Sequence, residues 1–513
     1  RLWRRAEVIT DVELTELRYS GKPAAFLRGF RAAYLGLIVN IIIMGWVNLG
    51  MAKVLEGTLG IEKWTALVAC LLITFAYVVI SGYWGVAATD GLQYCFEMGG
   101  AIILAFVAVD AAGGLDAMKA KIGAAVPAGA PPGTTFGNAA DVLSFWPSGG
   151  DAWVLPLVTV AALLTLNWWA SWYPGAEPGG GGYVVQNMLA CRNERGARAA
   201  ALFFNIAHYA LRSWPWVITA LCSLAIYGGS VKDASGADDP GSNYVRMMTD
   251  FLPIGLRGLM LASFAAAYMS TVATQMNWGS SYLVNDLYRR FIRRGADEQH
   301  YVSASRVATL LTLVLSLIAT IFMNQVSHAW EFLLMLGAGT GLVYILRWYW
   351  WRVNAWSEVS AMAAAFITSL VLRNFIDTTK AAGFGLNLIL TTVVTTVVWL
   401  AVTLLTRPEP RETLRAFYAK VRPAGGGWGP IAAETGIAPP KGEIARNALM
   451  WIASIAFVYS IMFATGALIF GDRPKLLWFS AGMLVSGIVL FVALWRDREG
   501  AERIAVDATA PEV

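Results

Sequence analysis

Uninterrupted apolar runs decide what this chain can fold into. No charged residue occurs between Trp64 and Thr89, Ala152 and Ala176, Gly258 and Asn285, Ala381 and Thr406, or Asn447 and Gly471. Each run reaches the roughly 20 residues that a helix needs to cross the hydrocarbon core of a bilayer. Lipid offers no partner to backbone N–H and C=O groups, so such runs become helices. Only 14% of the residues are charged and the mean hydropathy is +0.55, whereas soluble domains carry about a quarter charged residues. The expectation is an all-α, polytopic membrane protein.

The apolar runs and their polar breaks predict about twelve spans, near 30–53, 64–84, 90–112, 153–190 (broken), 197–227, 254–285, 303–325, 328–350, 357–376, 384–406, 445–470 and 475–496. One set of connections holds the basic residues: the N-terminal segment, Arg192/Arg195/Arg198, the run RRFIRR, Arg347/Arg352, the 407–446 loop and the C-terminal tail. The alternate set is poor in Lys and Arg. Twelve spans satisfy the positive-inside rule, which places both ends in the cytoplasm of a cell bounded by an inner (plasma) membrane. Residues 1–29 are then a cytoplasmic loop, 30–496 the membrane domain and 497–513 a cytoplasmic tail. The longest loops, 113–150 and 407–444, are rich in Gly, Pro and Ala and too short for a catalytic domain.

Enzyme chemistry finds little support. His208, His300 and His328 lie on separate segments without metal-ligand spacing. Four cysteines sit singly in apolar surroundings and are expected to be buried, inert thiols. No nucleic-acid signature is present. The opening segment, RLWRRAEVITDVELTELRYSGK, lacks an initiator Met and reads as a loop already on one side of a membrane.

Two segments carry the functional signal. The stretch WWASWYPGAEPGGGGYVV, Trp168 to Val185, stacks two prolines, Glu177 and five glycines between apolar arms. Proline and glycine break a helix, and irregular backbone at membrane depth is tolerated only inside protein or along a wet cavity. The segment is either a broken transport helix, with Glu177, Gly179 and Gly180 at a solute path or gate, or a tight loop between two helices. The second segment, Gly258 to Tyr288, is uncharged until Asp286. Along it Ala267, Ser270, Thr271, Thr274, Asn277, Ser281 and Asn285 recur at three- and four-residue steps, which line one helical face. A row of oxygens there suits a small hard cation; alternatively the hydroxyls bond back to their own helix.

Other polar groups in apolar surroundings have two readings each. Asp90 is a helix N-cap or part of an ion path. Glu97 lies inside a span, where ionisable groups face an interior. His208 and Arg212, at i and i+4, either pair with Glu97 or Glu177 or touch a polar solute. Glu331 and Glu358 are expected at the membrane interface.

Together these segments resemble the sodium:solute symporter family, which includes sodium/glucose, proline and pantothenate symporters. VITDVELTELRYSGK is similar to the family's loop before its third core helix, AATDGLQ to the opening of its fifth, and GGGGYVVQNMLACRNERGA to the end of its sixth. FLPIGLRGLMLASFAAAYMSTVATQMNWGSSYLVNDLYRR resembles the eighth over nearly its whole length. The resemblance covers Arg1 to the middle 300s.

It implies the inverted-repeat fold of five-plus-five helices with extra C-terminal spans, and sodium-coupled uptake of a small polar solute (a sugar, amino acid or carboxylate) by alternating access across the bilayer. Na+ would be held by the Ala267 carbonyl and the Ser270 and Thr271 hydroxyls, with Asp90 and Thr274 on the ion path or at a second sodium. His208 stands where sugar symporters carry a Lys. The family's first core helices have no counterpart here, which makes the chain about 80 to 100 residues short on helix lengths. The alternative function is a transporter-like solute sensor signalling through a separate partner.

Overall fold

Apolar periodicity becomes helix along most of the chain. The computed structural model describes residues 1–125, 142–143, 157–167, 181–228, 231–232, 238–323, 339–377 and 381–507. Glu177, Gly179 and Gly180, with most of the 168–185 stretch, lie outside these residues. In chain order the helices are α1 (Leu2–Ala6), α2 (Leu14–Arg18), α3 (Gly21–Leu59, with a π-turn at Tyr34–Val39) and α4 (Lys63–Ala112). They continue with α5 (Leu115–Ala125), α6 (Leu157–Ala162), α7 (Gly181–Ala190), α8 (Glu194–Asn205), α9 (Ser213–Tyr227), α10 (Pro240–Phe251) and α11 (Ile254–Ile292). The last group is α12 (Glu298–Ile321), α13 (Gly341–Tyr349), α14 (Ala355–Leu372), α15 (Ala381–Leu405), α16 (Arg411–Val421), α17 (Gly429–Thr435), α18 (Glu443–Phe470) and α19 (Arg473–Asp507). One two-residue strand pair joins Val231 to Asp239 and Lys232 to Asp238.

Among the described residues, eight helices are long and apolar enough to cross a membrane. Apolar side chains such as Ile80, Phe106 and Leu405 are more than two-thirds exposed on the outside of these helices, a surface that lipid, not water, accommodates. The protein is thus an all-α, polytopic membrane protein. Its first long helix begins at Gly21 and its last continues to Asp507.

Three expected spans form differently. The 64–84 and 90–112 segments are one helix, α4, but a bent one. The Tyr77 hydroxyl reaches the Gly85 carbonyl at 3.4 Å and the Thr89 hydroxyl 12 residues on. Twelve residues of straight helix cover about 18 Å, beyond a tyrosine's reach, so α4 is bent between two limbs. The 197–227 segment is divided by a π-turn at Ile206–Leu211 and resumes as α9, with Pro215 in its first turn where no N–H is needed.

α3, α11 and α12 form the buried centre, and the second limb of α4 lies along α11. Met44, Met51, Leu71, Val272, Met276 and Leu313 meet there. By contrast α18 and α19 pack on each other at the margin, only 22% and 17% of their apolar windows being buried. Small residues let the central backbones approach. Gly100 of α4 faces Ser263 and Met260, and Gly279 of α11 faces Asn40 of α3. Asn48 of α3 accepts from the Tyr268 hydroxyl of α11 at 3.0 Å and donates to Ser316 and Thr320 of α12, both at 3.3 Å. This fixes the rotation of α11 about its own axis.

The basic ends of the helices carry a cap that composition concealed. The 407–444 loop contains α16 and α17, which bury Leu414, Phe417, Tyr418, Trp428 and Ile431 against Ala6, Leu14 and Trp348. Arg18 lies under the rings of Trp428 and Phe417, 4.8 and 5.3 Å from their centroids. Arg1 and Arg5 bind Glu194 at 2.6 and 2.7 Å. Burial would raise the Glu194 carboxyl, but these guanidinium groups more than offset it and hold it below its usual range. The tie is therefore charged at neutral and mildly acid pH. The cysteines are less uniform than expected: Cys222 is buried, Cys70 and Cys191 are half-buried, and Cys95 is exposed.

A Cβ at position 100 would stand 2.9 Å from the Ser263 Cβ and 3.0 Å from the Met260 sulfur. Helix propensity alone favours Ala over Gly by about 1 kcal/mol. Overpacking of this kind costs about 1–3 kcal/mol, so Gly100→Ala should lower the midpoint of thermal unfolding in detergent. A raised midpoint would mean that α4 and α11 are not in contact there.

Candidate functional site

The stripe on α11 divides in two. Ser281 donates to the Trp278 carbonyl of its own helix at 2.7 Å, the back-bonding alternative. Ser270 instead reaches across and donates to Asp90 Oδ1 at 2.7 Å. Ala267, Thr271 and Thr274 are half-buried on the same face. The packing of Tyr268 onto Asn48, a quarter-turn away, aims this face at α4.

Asp90 is not a cap. It lies inside α4, whose N-cap is Glu62, accepting from the N–H groups of Trp64 and Thr65. Its Ser270 contact is midway along α11, so it stands at membrane depth. Among the described residues no basic side chain pairs with it. One turn on, Gln93 buries its side-chain oxygen without a donor among the described residues. The site thus combines a carboxylate, hydroxyls and an orphaned acceptor. A hard cation takes such oxygen donors, and among the described residues no protein cation occupies that role.

A second group lies four residues further along this limb. Glu97 forms an ion pair with Arg212, which also donates from Nη1 to His208 Nδ1 at 3.2 Å. Arginine only donates, so this ring nitrogen is the unprotonated one. His208 stacks on Phe204 with centroids 5.1 Å apart, and the Tyr94 hydroxyl holds the Ala207 carbonyl at 2.9 Å. The π-turn at Ile206–Leu211 carries His208, and such wide turns recur at functional positions. The expected pairing of Arg212 with Glu97 is formed. Glu97 is 8% and Arg212 34% exposed at the side chain, so this pair is open on the Arg212 side.

Several residues hold positions that their sequence context did not indicate. Glu358, expected at the interface, is fully buried and accepts from Arg347 at 3.1 Å and the Tyr19 hydroxyl at 2.6 Å. Asn48 is one of two amides, with Asn40, in an otherwise apolar span, and both are buried. Gly182 is the described end of the glycine run, and a Cβ there would overlap the Tyr282 hydroxyl and sit 2.6 Å from Trp278 Nε1 and 2.7 Å from Asp11 Oδ1.

Removing one member of a buried ion pair leaves the other charge uncompensated, whereas removing both is much less harmful. Arg212→Leu should lower thermal stability by about 1–3 kcal/mol, discounted for the exposed arginine, and Glu97→Gln with Arg212→Leu should recover most of the loss. A double variant no better than the single would separate the two residues.

Residues 1–367 match the model of the sodium:solute symporter family. The chain is 23% identical over 384 residues to a sodium/glucose cotransporter of Vibrio parahaemolyticus, which covers 71% of this chain and 66% of that protein. A sodium/mannose cotransporter of Bos taurus is 25% identical over 393 residues (72% and 64%). The high-affinity proline transporter PutP of Bacillus subtilis is 22% identical over 352 residues (66% and 67%). The chain thus spans less than two thirds of the length of the first two. Its fold is similar to a solved Na+-coupled sialic acid symporter in a substrate-bound outward-open state, with a TM-score of 0.59, 17% identity and coverage of 80% of this chain and 79% of that one.

Proposed function

This chain belongs to the sodium:solute symporter family, and on that premise we propose that it couples sodium entry to uptake of a small polar solute by alternating access. The observation that carries this is Asp90, a carboxylate at membrane depth whose partner among the described residues is a hydroxyl, Ser270. Ionisable groups inside a membrane mark ion paths when no fixed countercharge neutralises them.

Na+ would take the Ala267 carbonyl and the Ser270 and Thr271 hydroxyls, with Asp90 and Thr274 alongside as its path or as a second sodium site. The solute would bind between the broken span, where Glu177, Gly179 and Gly180 lie, and the His208/Arg212 face of the π-turn. Relatives that carry sugars, inositol and proline support a small polar solute. The architecture would be five-plus-five inverted repeats with α18 and α19 among the added spans. The basic helix ends would face the cytoplasm and the membrane would be the plasma membrane.

Sodium entry supplies about 2.3 kcal/mol per charge for each 100 mV, plus its concentration gradient. Coupling follows if sodium and solute raise each other's affinity by a common factor. In proteoliposomes with an inward sodium gradient, one class among sugars, amino acids and carboxylates should accumulate, and not with potassium. Ser270→Ala with Thr271→Ala should raise the sodium concentration for half-maximal uptake at least about tenfold, a loss of roughly 1.4 kcal/mol. Asp90→Asn should do likewise while leaving thermal stability nearly unchanged. Uptake indifferent to sodium in the unaltered chain would refute symport.

A further inference from the structure

Resting on the sodium-symport reading, we propose that residues 10–20 are a clasp closing the cytoplasmic end of the transport path, and that sodium bound on α11 tightens it. This short segment holds four helices at once, three long ones and the nine-residue α13. Thr10 donates to Asp286 of α11 at 2.7 Å, and Asp11 accepts from the Tyr282 hydroxyl of the same helix. Asp11 also pairs with Arg31 of α3 at 3.6 Å. Glu16 accepts from Arg28 of α3 and Arg290 of α11, both at 2.8 Å. Arg18 donates to the Arg347, Trp350 and Trp351 carbonyls at the end of α13, at 3.0 to 3.2 Å. Tyr19 binds Glu358 of α14, which pairs in turn with Arg31 and Arg347.

The chemistry of this contact suits a gate. Asp11, Arg31, Arg347 and Glu358 are each at most 1% exposed, so bulk water does not reach them. A buried ion network is no stronger than apolar packing of equal volume, and it fails when one member is missing. On opening, every charge regains water, which an apolar plug could not do. Closed and hydrated states can therefore lie close in free energy, as a bistable element requires.

α7 completes the closure. Gly182, at the end of the broken stretch, sits against Tyr282, Trp278 and Asp11 with no room for a side chain. The segment that would handle solute and the helix that would hold sodium thus meet at the clasp. Ser270 and Tyr282 are about 18 Å apart along one helix, so an ion that fixes α11 against α4 also fixes the surface that Asp11 and Gly182 grip.

The test is hydrogen exchange of residues 10–20 in the full chain in nanodiscs, in sodium and in potassium, with sodium-dependent uptake measured in parallel. In the unaltered chain sodium should slow exchange of this segment several-fold more than that of α12 or α18. Glu358→Gln should abolish the difference and raise the sodium concentration for half-maximal solute binding about three- to tenfold. Tyr19→Phe, which keeps the ring and removes one hydrogen bond, serves if Glu358→Gln does not fold. Gly182→Ala should act in the same direction by wedging α7 away. Protection of 10–20 that is equal in sodium and potassium, while uptake is sodium-dependent, would make the segment a static tie and overturn the clasp. If uptake itself ignores sodium, the symport reading fails. The clasp then stands if Tyr19→Phe and Gly182→Ala still speed exchange at 10–20 selectively, and falls if they do not.

Discussion

A carboxylate taken out of water needs a countercharge, and the arrangement of this bundle follows from how each one obtains it. Glu97 has Arg212, Asp286 has Arg28, Asp11 has Arg31, and Glu358 has both Arg31 and Arg347. Fixed pairs of this kind anchor helices to one another but leave nothing to exchange. Asp90 is set apart by facing Ser270 instead of an arginine.

That exception depends on the rotation of α11. A helix in an apolar bundle can turn about its axis with little change in buried area, since most of its faces are alike. Tyr268 bonded to Asn48, and Asn48 to Ser316 and Thr320, remove this freedom. Gly279 and Gly100 then bring α3 and α4 within backbone distance, so the hydroxyl stripe is presented to one carboxylate. Small residues and amides, not apolar bulk, give the bundle its specificity.

Much of this was legible in the residues. Unbroken apolar runs announced a helical membrane protein, and the three- and four-residue steps from Ala267 to Thr274 named the face of α11 that meets Asp90. The bland reading for Asp90 failed because the run Trp64–Ala112 does not break before it: Thr89 and Asp90 lie within one helix, and the bend that separates its limbs has no proline to mark it. The pairing of Arg212 with Glu97 could not be chosen over the other partners from the residues, because Glu97 is on a neighbouring helix whose register no local pattern reveals. Glu358 looked interfacial because it is near a helix start; only the return of residues 10–20 over that end buries it. The 407–444 loop looked featureless in composition because its few aromatics pack on residues far away in sequence. Long-range contacts of this kind leave no periodic trace.

The same long-range contacts set an order of assembly. Arg5 donates to the Val421 carbonyl, 416 residues later in the chain, and Arg18 to that of Arg347, 329 residues later. At about 5–20 residues per second, a ribosome needs roughly 20–80 s to deliver Val421 after Arg5. The earliest residues of this segment are therefore made first and settled among the last. Until then their arginines and the aromatic faces they cover stand open at the membrane surface, where chaperones and proteases can inspect them. A nascent chain that stalls before α16 is left with an unfinished and recognisable surface.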